Sequence, residues 1–195
     1  MALLCVLCVL GVPCVCSAIR LVLGSEDVER ALRIGRSSEG ERARFHAPYI
    51  VDLRDATLNQ IQVLTEFRRV VLESENRLRL GDHMFSVRPA TEMLRPWRGR
   101  LTVSLRLRFH PHNVFVAVPP YEIAIGAPAI AALDVRRIPE YVLGADPKRG
   151  SNALYGGVVE EDFDAAAVGQ TTRIVRVVLD GKELAVTSID FGRIE

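Results

Sequence analysis

The sequence predicts an α+β domain, with N-terminal helices packed on a mostly antiparallel β-sheet or β-sandwich. Three observations carry this: helical spacing of apolar residues is confined to the first half, residues 99–195 alternate with period two, and "VVLDGKEL" places Asp180-Gly181 between two apolar runs. Alternating βα units are missing, and neither a GxGxxG nor a GxxxxGK[ST] loop occurs. A doubly wound nucleotide-binding fold is therefore not expected.

The chain opens MALLCVLCVLGVPCVCSA, with no charged side chain before Arg20. Such a run is the apolar centre of a secretory signal peptide, and Ala18 preceded by Cys16 at the second position back suits cleavage after residue 18. Residues 1–18 are thus expected to be a leader and the chain to be secreted or periplasmic. An uncleaved anchor is the alternative, since a spanning helix needs about 20 apolar residues, although Gly11, Pro13 and Ser17 interrupt this run. Contact with a membrane is expected only through that segment. Cys5, Cys8, Cys14 and Cys16 are the four cysteines, so a chain cut after Ala18 has no disulfide framework, thiolate nucleophile or thiol-based zinc site. Its stability then rests on an apolar core, for which 49% hydrophobic residues suffice.

Residues 19–98 read as a helical layer and 99–195 as the β-rich part of the same domain. In "SEDVERALRIG", Ser25 is the expected cap, Glu26 and Asp27 fill the first turn, Val28, Ala31 and Leu32 form a stripe, and Gly35 ends the helix. "SSEGERAR" is expected to be loose and "FHAPYIVDL" extended. "TLNQIQVLTEFRRVVLESENRLRLG" is expected to be one long helix capped by Asp55 or Thr57, with Ile61, Leu64, Phe67, Val71 and Leu78 on its stripe; its β-branched residues leave two strands as the alternative. "ATEMLRPW" reads as a short helical turn. Five to seven strands follow: "RLTVSLRLRF", "NVFVAV", "YEIAIG", a buried "AIAALDV", one around Val158–Phe163, and the closing hairpin "TTRIVRVVLDGKELAVTSIDF".

The net charge of +1 argues against nucleic acid as a general partner. Only Lys148 and Lys182 among the 25 basic residues are lysines, which a GC-rich coding bias explains. Between Met93 and Tyr121 there is no acidic residue, while Arg95, Arg98, Arg100, Arg106 and Arg108 surround or follow Trp97. Arginines beside an indole can hold a phosphate, carboxylate or sugar face by bidentate bonds and stacking. The opposing expectation is that "EEDFD", Glu160 to Asp164, neutralises the strip from a neighbouring strand.

His110 and His112 follow the same strand, and two imidazoles at that spacing can reach one metal ion if a third ligand exists. The acidic cluster lacks the glycine-containing loop of an EF-hand, and no GxSxG elbow occurs. The expected role is a non-catalytic exported domain that needs no cofactor. It binds an anionic envelope component or a protein partner through Arg95, Trp97, Arg98, Arg100, Arg106 and Arg108. A small metal-dependent hydrolase using His110 and His112, or a carrier of an apolar ligand, are the alternatives.

Overall fold

A computed structural model describes residues 22–142 and 154–195; the leader expected over residues 1–18 lies outside them. The chain runs α1 (Ser25–Gly35), α2 (Glu39–His46), β1 (Ile50–Asp52), β2 (Leu58–Leu64), α3 (Glu66–Arg79), α4 (Val87–Met93), β3 (Arg100–Arg108), β4 (Glu122–Ile125), β5 (Asp134–Tyr141), β6 (Leu154–Asp164), α5 (Ala165–Val168), β7 (Thr172–Leu179) and β8 (Lys182–Asp190). The fold is α+β with two antiparallel sheets. One has five strands in the order β1-β2-β3-β6-β5, the other three in the order β4-β7-β8. Among the described residues no helix is long and apolar enough to cross a membrane.

The sheets share one core. Leu101, Val103, Leu105 and Leu107 point inward from β3 and meet Ile123 and Ile125 of β4, Val175 and Val177 of β7 and Ile189 of β8. This is the period-two pattern of the sequence doing its expected work: odd residues of β3 are buried, while Arg106 and Arg108 of the even set are exposed. The helices build a second cluster from Val28, Ala31, Leu32, Phe67, Val70, Val71, Phe85, Ala90 and Leu94, and Phe45 packs against both clusters.

Several elements differ from expectation. The long helix expected across residues 57–80 is a strand followed by a helix. Asp55 Oδ1 accepts from the Thr57 and Leu58 amides at 2.8 Å each and turns the chain into β2, which pairs with β3 from Leu58↔Leu107 to Leu64↔Thr102. Thr65 then caps α3 by accepting from the Arg68 amide at 3.1 Å. The strand pairing outweighs a helical stripe that spans both pieces only by coincidence of spacing. Consequently β1 and β2 lie within the stretch read as a helical layer.

"SSEGERAR" is likewise not loose. Ser38 and Glu41 form a reciprocal capping box that starts α2. Helix α1 is capped by Gly24, one residue before Ser25, with Asp27 accepting from the Gly24 amide at 3.1 Å. "NVFVAV" forms no strand, because the Asn113 side chain donates to the His110 and Leu154 carbonyls, each at 2.7 Å, and holds a loop between prolines. Residues 129–133 of "AIAALDV" are mostly exposed, and β5 starts at Asp134 as an edge strand. The closing hairpin forms as expected, with Asp180 and Gly181 at φ 50° and 75°.

Candidate functional site

Strand register decides which charges meet. On the outward face of the five-stranded sheet, Thr102 of β3 lies opposite Asp162 of β6, and Asp162 opposite Asp134 of β5. Asp162 has no solvent exposure. Arg136, two residues along β5 from Asp134, reaches it as a fork, with both terminal nitrogens 2.9 Å from its two oxygens. The same guanidinium contacts Asp134 at 2.6 Å and Glu160 at 3.3 Å. The Thr102 hydroxyl donates to Asp162 at 2.5 Å and accepts from Arg69 of α3 at 2.5 Å. Arg100 adds a contact to Asp162 at 3.5 Å.

Trp97 covers this network. It sits in the short 3-10 turn Arg95–Trp97 between α4 and β3, with the Arg69 guanidinium 3.6 Å and that of Arg136 5.2 Å from its ring centre. Burial pushes the Asp162 carboxyl up, but hydrogen bonds from Arg136 and Thr102, with the charges of Arg136 and Arg69, outweigh it and hold the pKa below the usual carboxylate range. Burial lowers Arg69 to about 10, against which the charges of Asp162 and Glu160 act. A guanidinium nevertheless stays protonated in proteins, so this burial is a cost in stability rather than a switch.

The six residues expected to form one strip are divided. Arg100 is tied to Asp162 and Arg106 to Glu140 at 3.2 Å, so "EEDFD" and β5 do neutralise the middle of the face. Arg108 is exposed at the far end of β3, beside a cleft of about 250 Å³ lined by Asn59, Arg106, Glu140 and Tyr155. Arg95 and Arg98 are exposed on either side of Trp97; neither makes a close ion pair among the described residues, but the charge of Arg98 acts on the buried Glu66 carboxylate, which accepts from the Gly99 amide at 2.8 Å. Three central residues, Arg69, Arg136 and Thr102, had no assigned role in the sequence. The cross-strand register that would have revealed Arg136 is invisible until β5 and β6 are aligned.

Glu161 faces the other way, buried between the sheets, and accepts from the Ile123 amide at 2.8 Å; burial raises its pKa. Asp164 caps α5 through the Ala166 amide at 2.9 Å. His110 and His112 stay adjacent, with ring centres 5.3 Å apart, and His110 Nδ1 accepts from the His112 amide at 3.2 Å. Among the described residues no group of three His, Cys, Asp or Glu side chains is placed to hold a metal.

Two open clefts lie beside α3, and Trp97 lines one of them. One, of about 250 Å³, is lined by Leu64, Arg69, Leu72, Glu73, Met93 and Trp97. The next, of about 220 Å³, shares Glu73 and Met93 and continues to Arg77, Asp82, Met84, Phe85 and Pro89. Compared with known proteins, the chain matches no family model, no curated protein and no solved structure.

Proposed function

We propose that the chain is an exported, non-catalytic domain that binds an anionic envelope component or a protein partner, and that contact is made at the Trp97 end of the arginine-rich face. The observation that supports this is the exposed pair Arg95 and Arg98 on either side of an indole braced by Arg69; Arg95 has no ion pair among the described residues, and Arg98 acts on the buried Glu66 while staying exposed itself. Arg100 and Arg106 belong to the scaffold instead, because their charges are already met by Asp162 and Glu140. A braced aromatic between two exposed guanidiniums, of which Arg98 also acts on the buried Glu66, offers an apolar ring with donors at its rim, which suits carboxylate or phosphate groups.

The test compares the full chain with its Arg95→Gln/Arg98→Gln and Arg106→Gln variants on beads coated with dextran sulfate and on isolated envelope material. The double variant is expected to bind about tenfold more weakly, a loss of about 1.4 kcal/mol, with a shallower dependence on salt. Arg106→Gln is expected to bind as the parent does. Equal retention of the double variant and the parent would remove the reading.

A further inference from the structure

The open edge of a β-sheet offers backbone donors and acceptors to any strand that meets it, and folded chains blunt such edges with short strands, charges or proline. Three of the four sheet edges here are blunted in these ways. Strand β1 has three residues, β4 has four, and β5 carries Pro139 among Asp134, Arg136, Arg137 and Glu140. Strand β8 has none of these guards. It runs nine residues from Lys182 to Asp190 with no proline and no charge from Leu184 to Ile189, and no strand lies beyond it among the described residues. Its solvent face is apolar as well: Val186 is 54% exposed, Leu184 is exposed beside it, and so is Ile174 of β7, whose register partner is Ser188.

We propose that β8 pairs antiparallel with β8 of a second copy of this chain, across a two-fold axis at Val186. The strand's own charges select this occupant. Pairing centred on Val186 sets Lys182 opposite Asp190 of the second copy, and the axis repeats the pair at the other end, so both ends are matched. A parallel copy in register would set Lys182 against Lys182 and Asp190 against Asp190. Lys182 makes no ion pair among the described residues, Asp190 keeps 43% exposure beside the surface residue Arg193, and Glu183 stays near its own Arg176 at 3.9 Å. Between the ends, Val186 meets Val186 of the copy and Leu184 meets Ser188, with Ile174 next in that row. The apolar side chains exposed on each sheet face thus join into one patch over the axis, and two three-stranded sheets become one of six. The pairing is independent of the contact proposed at Trp97.

Sedimentation equilibrium of the full chain between about 1 and 100 μM is expected to show a monomer–dimer equilibrium and nothing larger. Val186→Lys sits at an exposed position and keeps the fold, which circular dichroism checks, but sets two cations together on the axis; it is expected to weaken the dimer about a hundredfold or more. Lys182→Glu turns both end pairs into like-charge pairs and is expected to weaken it about tenfold. A zero-length carbodiimide cross-linker reads the register. Lys182 and Asp190 of one chain stand at opposite ends of a nine-residue strand, about 26 Å apart, so a bond between them joins two chains. Mass spectrometry is expected to find that link in the parent and not in Lys182→Arg, which still dimerises. A chain that stays monomeric over this range, a dimer indifferent to Val186→Lys, a dimer without the Lys182–Asp190 link, or growth past the dimer, as a head-to-tail edge contact or another partner strand would give, would each overturn the pairing.

Discussion

Replacing Asp162 by Asn keeps the shape of the side chain but removes the charge that holds Arg136, Arg100 and Arg69 over the sheet. Leaving a buried charge pair half-made costs about 3–5 kcal/mol, and the low end, about 3 kcal/mol, is expected because the Arg136 side chain retains 31% exposure to water. Urea unfolding at pH 7 reads the loss. The pH dependence follows from the direction of the shift. A carboxyl whose folded pKa lies below its unfolded value contributes stability that is present above the unfolded value, near 3.9, and is lost as pH falls through the folded one. Parent and Asp162→Asn stabilities should therefore converge at strongly acid pH. Glu161 behaves oppositely: its raised pKa means the folded state resists ionisation, so Glu161→Gln is expected to raise Tm at pH 7, with a gain that fades as pH falls from the raised folded value to the ordinary glutamate value. At this scale the sequence was half legible. The alternation of β3 told which side chains share a face with Arg106, and "EEDFD" was named as a counter-charge for that face. Which arginine meets Asp162 was not legible, because Arg136 is brought there by a strand pairing 26 residues away in sequence.

Among elements, contact between α1 and α3 depends on one glycine. A Cβ at Gly35 would lie 2.5 Å from Ser74 Cβ and 2.6 Å from the Val71 carbonyl oxygen, so the helices approach only because that atom is missing. Ser74 uses the closeness to donate to the Leu32 carbonyl at 3.1 Å. Gly35→Ala is expected to cost about 2 kcal/mol by forcing the pair apart, read as a fall in Tm of about 4–8 °C for a chain of this length. Ser74→Ala, which loses the bond without overpacking, is expected to cost about 1 kcal/mol. Gly35 was read from the sequence as a helix stop, and it is one, but its closer constraint is this contact, which no local pattern reports. The elements the sequence revealed best, β3 and the β7–β8 hairpin, are those whose signals are local: strict alternation and an Asp-Gly turn. The junction at Thr65 was hidden because Ile61 and Leu64 fit the stripe of α3 while belonging to β2. Helix α2 was hidden for the opposite reason. None of its side chains is fully buried and only Phe45 packs on the core, so it has no stripe, and its Ser38–Glu41 capping box is what announces it.

Across the molecule, the helical cluster and the inter-sheet core are fastened together at Tyr49. Its ring stacks near Phe45 and lies 5.0 Å from the Arg68 guanidinium, and its hydroxyl donates to the Glu195 carbonyl and accepts from the Glu195 amide, each at 3.2 Å. The Thr65 hydroxyl also donates to the Glu195 carbonyl, and Arg30 of α1 pairs with the Glu195 carboxylate at 2.7 Å. Arg68, 2% exposed, donates to the Val63 carbonyl at 2.6 Å from within the same knot. Helix α1, the start of α3, the approach to β1 and the residues after β8 thus meet around one phenol. Burial pushes that phenol up from 10 to about 12. Because the folded value exceeds the unfolded one, the stability tied to neutral Tyr49 is complete below pH 10 and is lost as pH rises from about 10 through about 12. Ionisation would set a phenolate against the Glu195 carbonyl and cost the layers their shared fastening, so alkaline unfolding is expected to begin in that window. Absorbance at 295 nm across the titration, followed beside far-ultraviolet circular dichroism, checks it. Tyr49→Phe is expected to be about 1 kcal/mol less stable at pH 7 for want of its hydroxyl bonds, and to lose less than the parent between pH 10 and 12. Parallel alkaline limbs for the two proteins would place the fastening elsewhere.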